Sequence, residues 1–194
     1  MILEILFKYR FFISLIPRLK SFTMWNIIYV ILLSYLIQLN IVESRFDPTF
    51  YDTEASYVNY EYFSDFETYV NEDHAGFFLN FTLIKRFPNE TRFSYKLLTS
   101  SMGEFVIKTG ISFDAEFCQI FDPNYRLIGD QIEMIGITDD DCPPGPGTYG
   151  ADNISYSPKN LPDAFPPNNY LAFIKIYYQK LLFLEFKIFA RLAN

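Results

Sequence analysis

A chain of 194 residues is long enough for one domain with a substantial core and too short for two comfortable ones. Half of it is hydrophobic and a fifth aromatic, which excludes a disordered chain, and 22 Phe with 15 Tyr lean toward strands. The formal net charge of −7 argues against a nucleic-acid partner, whose phosphates demand a basic face.

From the N-terminus, the first recognisable element is an apolar run of 13 residues, Ile27 to Leu39. Spanning a bilayer takes about 20 apolar residues, so the run suits the core of a signal peptide, with Arg18 and Lys20 upstream. Val42-Glu43-Ser44 offers the β-branched and small residues of a cleavage site, which places cleavage before Arg45 and removes residues 1–44. Met24 stands just ahead of the run, and initiation there would make residues 1–23 an upstream extension. The competing reading is an uncleaved signal anchor. Cleavage takes away Lys8, Arg10, Arg18 and Lys20 together with Glu4 and Glu43, leaving 12 basic and 21 acidic residues and a net charge of −9. Such a surface would not adhere to anionic membranes by charge, and no stable membrane insertion is expected.

The exported chain reads as strands almost throughout. Residues 45–75 form an acidic, Tyr-rich lead-in with one candidate strand at Tyr57–Phe63, and residues 76–194 form the domain proper. A hairpin is expected from Phe77–Phe87 and Arg92–Thr99 around the turn Pro88-Asn89-Glu90. In its first strand Leu79, Phe81 and Leu83 point one way while Asn80 and Thr82 point the other. Ser100–Gly103 turns into a third run, Glu104–Thr109, and a fourth, Ile111–Phe121, carries Cys118. Over Asn124–Ile135 the residues Tyr125, Ile128, Ile132 and Ile135 recur at helical spacing, although Gly129 sits inside.

Pro143-Pro144-Gly145-Pro146-Gly147 then breaks all regular structure, Tyr149–Tyr156 reads as a short edge strand, and Leu161–Pro167 as an extended connector. The chain closes on a hairpin, Tyr170–Tyr178 and Leu182–Leu192, turning near Gln179-Lys180. Its last strand puts Leu182, Leu184, Phe186, Ile188 and Ala190 on a core face and Phe183, Glu185, Lys187, Phe189 and Arg191 on a mostly wetted one. The expected fold is mainly β, an antiparallel sandwich of about seven strands with one short helix.

Several short motifs occur in a fixed order. They are Phe78–Arg92 (FLNFTLIKRFPNETR), Cys118-Gln119-Ile120-Phe121, Cys142-Pro143, Gly147-Thr148-Tyr149, Asn153, Leu161-Pro162 and the Tyr170 hairpin. This order resembles a large insect family of secreted proteins of uncharacterised function. That family is grouped with the ML lipid-recognition superfamily, near the chemosensory CheB proteins and the ganglioside activator protein. The resemblance covers roughly residues 76–192. It implies an immunoglobulin-like sandwich whose sheets part to admit an acyl chain. With only two cysteines, the chain departs from the ganglioside activator, which weakens any transfer of that protein's loop architecture.

Cys118 and Cys142 are the whole cysteine stock, and in an exported chain they are expected to bond to each other; an intermolecular bridge or two free thiols are the alternatives. Asn80-Phe81-Thr82, Asn89-Glu90-Thr91 and Asn153-Ile154-Ser155 are glycosylation sequons, so Asn80, Asn89 and Asn153 are candidate glycan sites. Catalysis finds little to work with. His74 is the only histidine and sits in a polar turn, and no Gly-x-Ser-x-Gly elbow exists. Asp139-Asp140-Asp141 lacks the spacing of a calcium loop, and two cysteines with no histidine nearby make no zinc site. No cofactor, metal or enzymatic activity is expected.

The aromatic surplus admits two readings. One is a solid core, which would leave a secreted glycoprotein acting through protein–protein contacts. The other is a sandwich lined for an apolar guest, making the protein an extracellular carrier of a lipid or other small hydrophobic molecule, with a receptor or carrier protein as a further partner. Under that second reading the pocket is lined by Leu79, Phe81, Leu83, Phe105, Leu184, Phe186 and Ile188, the inward positions of facing strands.

Overall fold

Period-two alternation of large apolar residues drives this chain into strands, and eight of them form among the residues described by the computed structural model, 48–156 and 165–192. They are β1 (Thr49–Val58), β2 (Phe63–Val70), β3 (Phe77–Leu83), β4 (Arg92–Ser101), β5 (Glu104–Glu116), β6 (Gly147–Ile154), β7 (Asn168–Tyr178) and β8 (Leu181–Leu192). One α-helix, α1 (Arg126–Met134), lies between β5 and β6. The strands form two antiparallel sheets, one of five strands in the order β1-β8-β7-β4-β5 and one of three in the order β2-β3-β6. The signal segment and cleavage site within residues 1–44, and the Leu161-Pro162 stretch of the connector, lie outside the described residues.

The sheets face each other across an aromatic interior. Phe77 on β3 and Phe66 on β2 both pack on Phe186 of β8, with ring centroids 6.3 and 6.0 Å away. On β3 the alternation is regular: Phe77, Leu79, Phe81 and Leu83 are buried while the intervening residues are half-exposed. On β8 the inward set Leu184, Phe186, Ile188 and Ala190 is buried, with Leu192 continuing it.

Four expectations from the sequence are corrected. The segment 45–75 is no lead-in with a strand at 57–63: it supplies β1, which pairs with β8, and β2, which pairs with β3, so it belongs to both sheets. The stretch around Tyr57–Phe63 is instead the corner between them, closed by the Asn59 carbonyl accepting from the Tyr62 and Phe63 amides.

Second, β3 and β4 are not a hairpin. Residues 84–91 carry the chain from the small sheet to the large one, where β4 pairs with β5 and β7. Phe87 is the reason: its ring is buried against Phe63, Phe117 and Phe183, its amide donates to the Pro144 carbonyl, and Pro88 has no N–H to extend a ladder.

Third, the runs on either side of Gly110 are one strand. Gly110, at φ +91°, forms a bulge opposite Leu97, whose carbonyl accepts from the Thr109 hydroxyl.

Fourth, Phe183 is not wetted. A register shift between β7 and β8 beside it turns its ring into the core, where it is fully buried.

The helix starts and ends within the expected window, preceded by two short 3-10 turns, Phe117–Phe121 and Pro123–Tyr125. Gly129 is required there by close approach. A Cβ at this position would lie 2.6 Å from the Ile120 carbonyl oxygen, which is backbone and cannot swing away. Gly129→Ala gains about 1 kcal/mol in helix propensity, but the clash costs about 1–3 kcal/mol or more. Net destabilisation is therefore expected, read as a lower urea midpoint at unchanged slope. A raised midpoint would contradict the close approach.

Candidate functional site

The five-stranded sheet is wider than the three-stranded one, and the segment between β5 and β6 covers what the small sheet leaves open. This cap contains both 3-10 turns, α1, the Asp139–Asp141 turn and the Pro/Gly loop. The cap faces inward with Phe117, Ile120, Ile128, Ile135 and Ile137, all buried. Cys118 and Cys142 are bonded, with their Cα atoms 5.6 Å apart, and so pin the two ends of the cap together across a separation of 24 residues. Pro144 is fully buried. Arg86 lies against the same loop, donating from its guanidinium to the Pro143 carbonyl, and the Tyr149 hydroxyl donates to the Gly145 carbonyl at 2.9 Å.

Between the sheets and this cap lies a cavity of about 70 Å³. Leu79, Phe81, Leu83, Leu184, Phe186 and Ile188 line it, six of the positions that the strand alternation placed inward. Phe105 does not. The register of β5 against β4 shifts next to it, and its ring packs instead on Phe189 of β8, at 5.6 Å, on the outer face of the large sheet beside Tyr51. The roof comes from residues outside the strands: Phe117, Ile128, Gln131, Ile132, Ile135, Ile137 and Pro144. Helical spacing was the available signal, because Gln131 follows Ile128 by three and precedes Ile135 by four and so shares their stripe.

Gln131 is the one polar side chain among the lining residues, only 8% exposed, and its Nε2 has no hydrogen-bond partner among the described residues. Beside it stands Tyr156, whose hydroxyl is likewise sealed from solvent and unpartnered. Burial pushes the Tyr156 phenol up to about 12, against smaller opposing pulls from Tyr95 and Gln131, which lie close without meeting hydrogen-bond geometry. Burial also raises Tyr95 well above the ordinary phenol range, reinforced by Tyr156. Tyr95 and Tyr156 line a second, smaller cavity of about 20 Å³, and Ile188 borders both spaces. The polar groups thus sit at the seam between two apolar voids.

The other candidate positions lie outside the interior. Asn89 is exposed in the inter-sheet connection, while Thr91 of the same sequon is fully buried. Asn80 is half-exposed on the outward side of β3, and Asn153 is exposed on β6, its Oδ1 accepting from Asn71 Nδ2 at 3.0 Å. His74 is exposed at a turn, its ring Nδ1 paired with the Phe50 carbonyl at 2.8 Å. Among the described residues no three His, Cys, Asp or Glu side chains converge on a metal position, and no helix is long and apolar enough to cross a membrane. Compared with known proteins, the chain matches no family model and no curated protein.

Proposed function

We propose that this protein is a secreted, non-catalytic carrier of a small hydrophobic molecule or of one end of a lipid. The observation that carries the reading is the apolar cavity under the disulfide-pinned cap. Left without a guest, an interior volume of about 70 Å³ costs stability. At ~24 cal/mol per Å³ the penalty is about 2 kcal/mol, a sizeable fraction of what a domain has to spare. A space of this kind, walled by aromatic and aliphatic side chains from the sheets and the cap, fits a binding site for an apolar guest.

The resting volume also limits the guest. An engineered cavity of about 150 Å³ admits benzene, so anything larger than a small apolar body requires the cap to yield. The resemblance to the ML lipid-recognition group supports the same reading. So does the intrachain disulfide, which fits an oxidising compartment. In this reading residues 1–44 are the export signal, and Asn80, Asn89 and Asn153 carry glycans at positions open to solvent.

One observation favours a second reading. Met102, Val106 and Ile107, at and beside the β4–β5 turn, are exposed, and Tyr51, Phe105 and Phe189 form an aromatic row on the outer sheet face. These would serve a glycoprotein that acts by contacting another protein.

Native mass spectrometry of protein secreted from insect cells, before and after enzymatic deglycosylation, separates the readings. Expected are an N-terminus at or near Arg45, glycan mass on the sequons, and a co-purifying apolar species released on activation. Bare protein with no bound mass, still binding no hydrophobic probe, would leave the surface reading as the better account.

A further inference from the structure

The three sequons differ in what stands beside the asparagine. Side chains two residues apart on a strand share a face, roughly 7 Å from each other. Two residues before Asn153 is Ala151, which offers no ring. Two before Asn89 is Phe87, whose ring is buried in the core and out of a sugar's reach. Two before Asn80 is Phe78, half-buried on the same outward face of β3.

Phe78 belongs to a pair. Tyr69 of β2 lies directly opposite it and is exposed, and the two rings stack with centroids 4.5 Å apart and planes 11° from parallel. Asn80 is therefore next to Phe78 along the strand and diagonal to Tyr69 across the ladder, a separation that long groups bridge. Its own cross-strand neighbours are Glu67 on β2 and Gly150 on β6. Gly150 leaves room for the Asn80 amide, since a Cβ there would lie 2.8 Å from the Asn80 Oδ1. N-acetylglucosamine has a polar rim and a face of C–H groups, and the electron-rich surface of an aromatic ring attracts such groups. The covalent tether keeps the sugar at high effective concentration beside the rings.

We infer that the glycan of Asn80 lies back on the outer face of the small sheet, its first N-acetylglucosamine packed on the Phe78–Tyr69 pair, and that it stabilises the domain as the glycans of Asn89 and Asn153 do not. The inference rests on the glycan reading of the sequons given above.

The test uses protein secreted from insect cells, with occupancy of each sequon read by peptide mass spectrometry and stability by urea unfolding. Asn80→Gln is expected to lower the folding equilibrium constant about fivefold, the size of one good cross-strand pair. Asn89→Gln, and Ser155→Ala to empty the third sequon without touching Asn153, should leave it unchanged. In a Phe78→Thr background the loss on Asn80→Gln should disappear, because the sugar has lost its platform. Tyr69→Thr repeats this cycle if Phe78→Thr folds poorly. Trimming with an endoglycosidase that leaves one N-acetylglucosamine should keep the stability of the untrimmed protein. An occupied Asn80 whose removal costs the same with and without the aromatic pair, or no more than removal of the other two glycans, would overturn the inference and leave the glycan reading intact. An unoccupied Asn80 would remove the inference together with the assignment of a glycan to that residue.

Discussion

Replacing Phe183 by Ala is expected to lower the unfolding free energy by about 3–5 kcal/mol. The ring is 0% exposed and stacks on Phe87, with centroids 5.1 Å apart and planes 2° from parallel, while Tyr62 approaches to 4.3 Å. Every side of it meets protein, and the neighbours belong to the corner between β1 and β2 and to the connection between the sheets, held by the Tyr62 amide on the Asn59 carbonyl and the Phe87 amide on the Pro144 carbonyl.

Phe186→Ala should cost visibly less, although Phe186 is almost as buried at 3% exposure. Phe186 borders the cavity and Phe183 does not. A ring that already lacks partner atoms on one side has fewer contacts to lose. Urea midpoints of the two variants, at matched slopes, make the comparison. Equal losses would mean that the interior beside Phe186 is packed solid, and would count against the carrier reading as well.

Removing the disulfide should have an effect of similar size, but at a different place. Cys118 and Cys142 enclose a loop set by a separation of 24 residues, and closing such a loop is worth about 3 kcal/mol in the chain-entropy model. The loop is the cap itself, so its loss frees the roof of the cavity before it loosens the sheets. The double variant Cys118→Ser with Cys142→Ser is expected to lose about that much stability, to be secreted poorly, and to retain strand content by circular dichroism while losing bound probe. Native wild type in which both thiols react with an alkylating agent, or a double variant with an unchanged midpoint, would overturn the assignment of the cap's stability to this bond.

Much of this was legible in the residues. The alternation in Phe77–Leu83 and Leu184–Ala190 marked the inward faces because side chains on a strand swap sides at every residue, and a buried face must be apolar. Six inward positions so identified do meet around one cavity. The helical stripe through Ile128, Ile132 and Ile135 marked the cap for the same kind of reason, at a period of 3.6. Two cysteines left one intrachain pairing to make, and Cys118 and Cys142 make it.

What the sequence could not determine is what depends on contacts between distant residues. Strand alternation says that β3 and β4 are strands but not that they belong to different sheets. That was decided by Phe87 finding its rings on β2, β8 and the cap, and by β4 taking β5 and β7 as neighbours. A single bulge reverses the facing of every residue beyond it, which is why Phe183 turned inward while Phe105, counted as inward, came to rest on the outer face against Phe189. Bulges form where two strands of unequal local length must stay in register, and neither strand carries that information alone. The unpartnered Gln131 belongs to the same class. Its helical spacing placed it on the apolar stripe, but only the tertiary packing determined that it would border the cavity with its Nε2 sealed close to Tyr156.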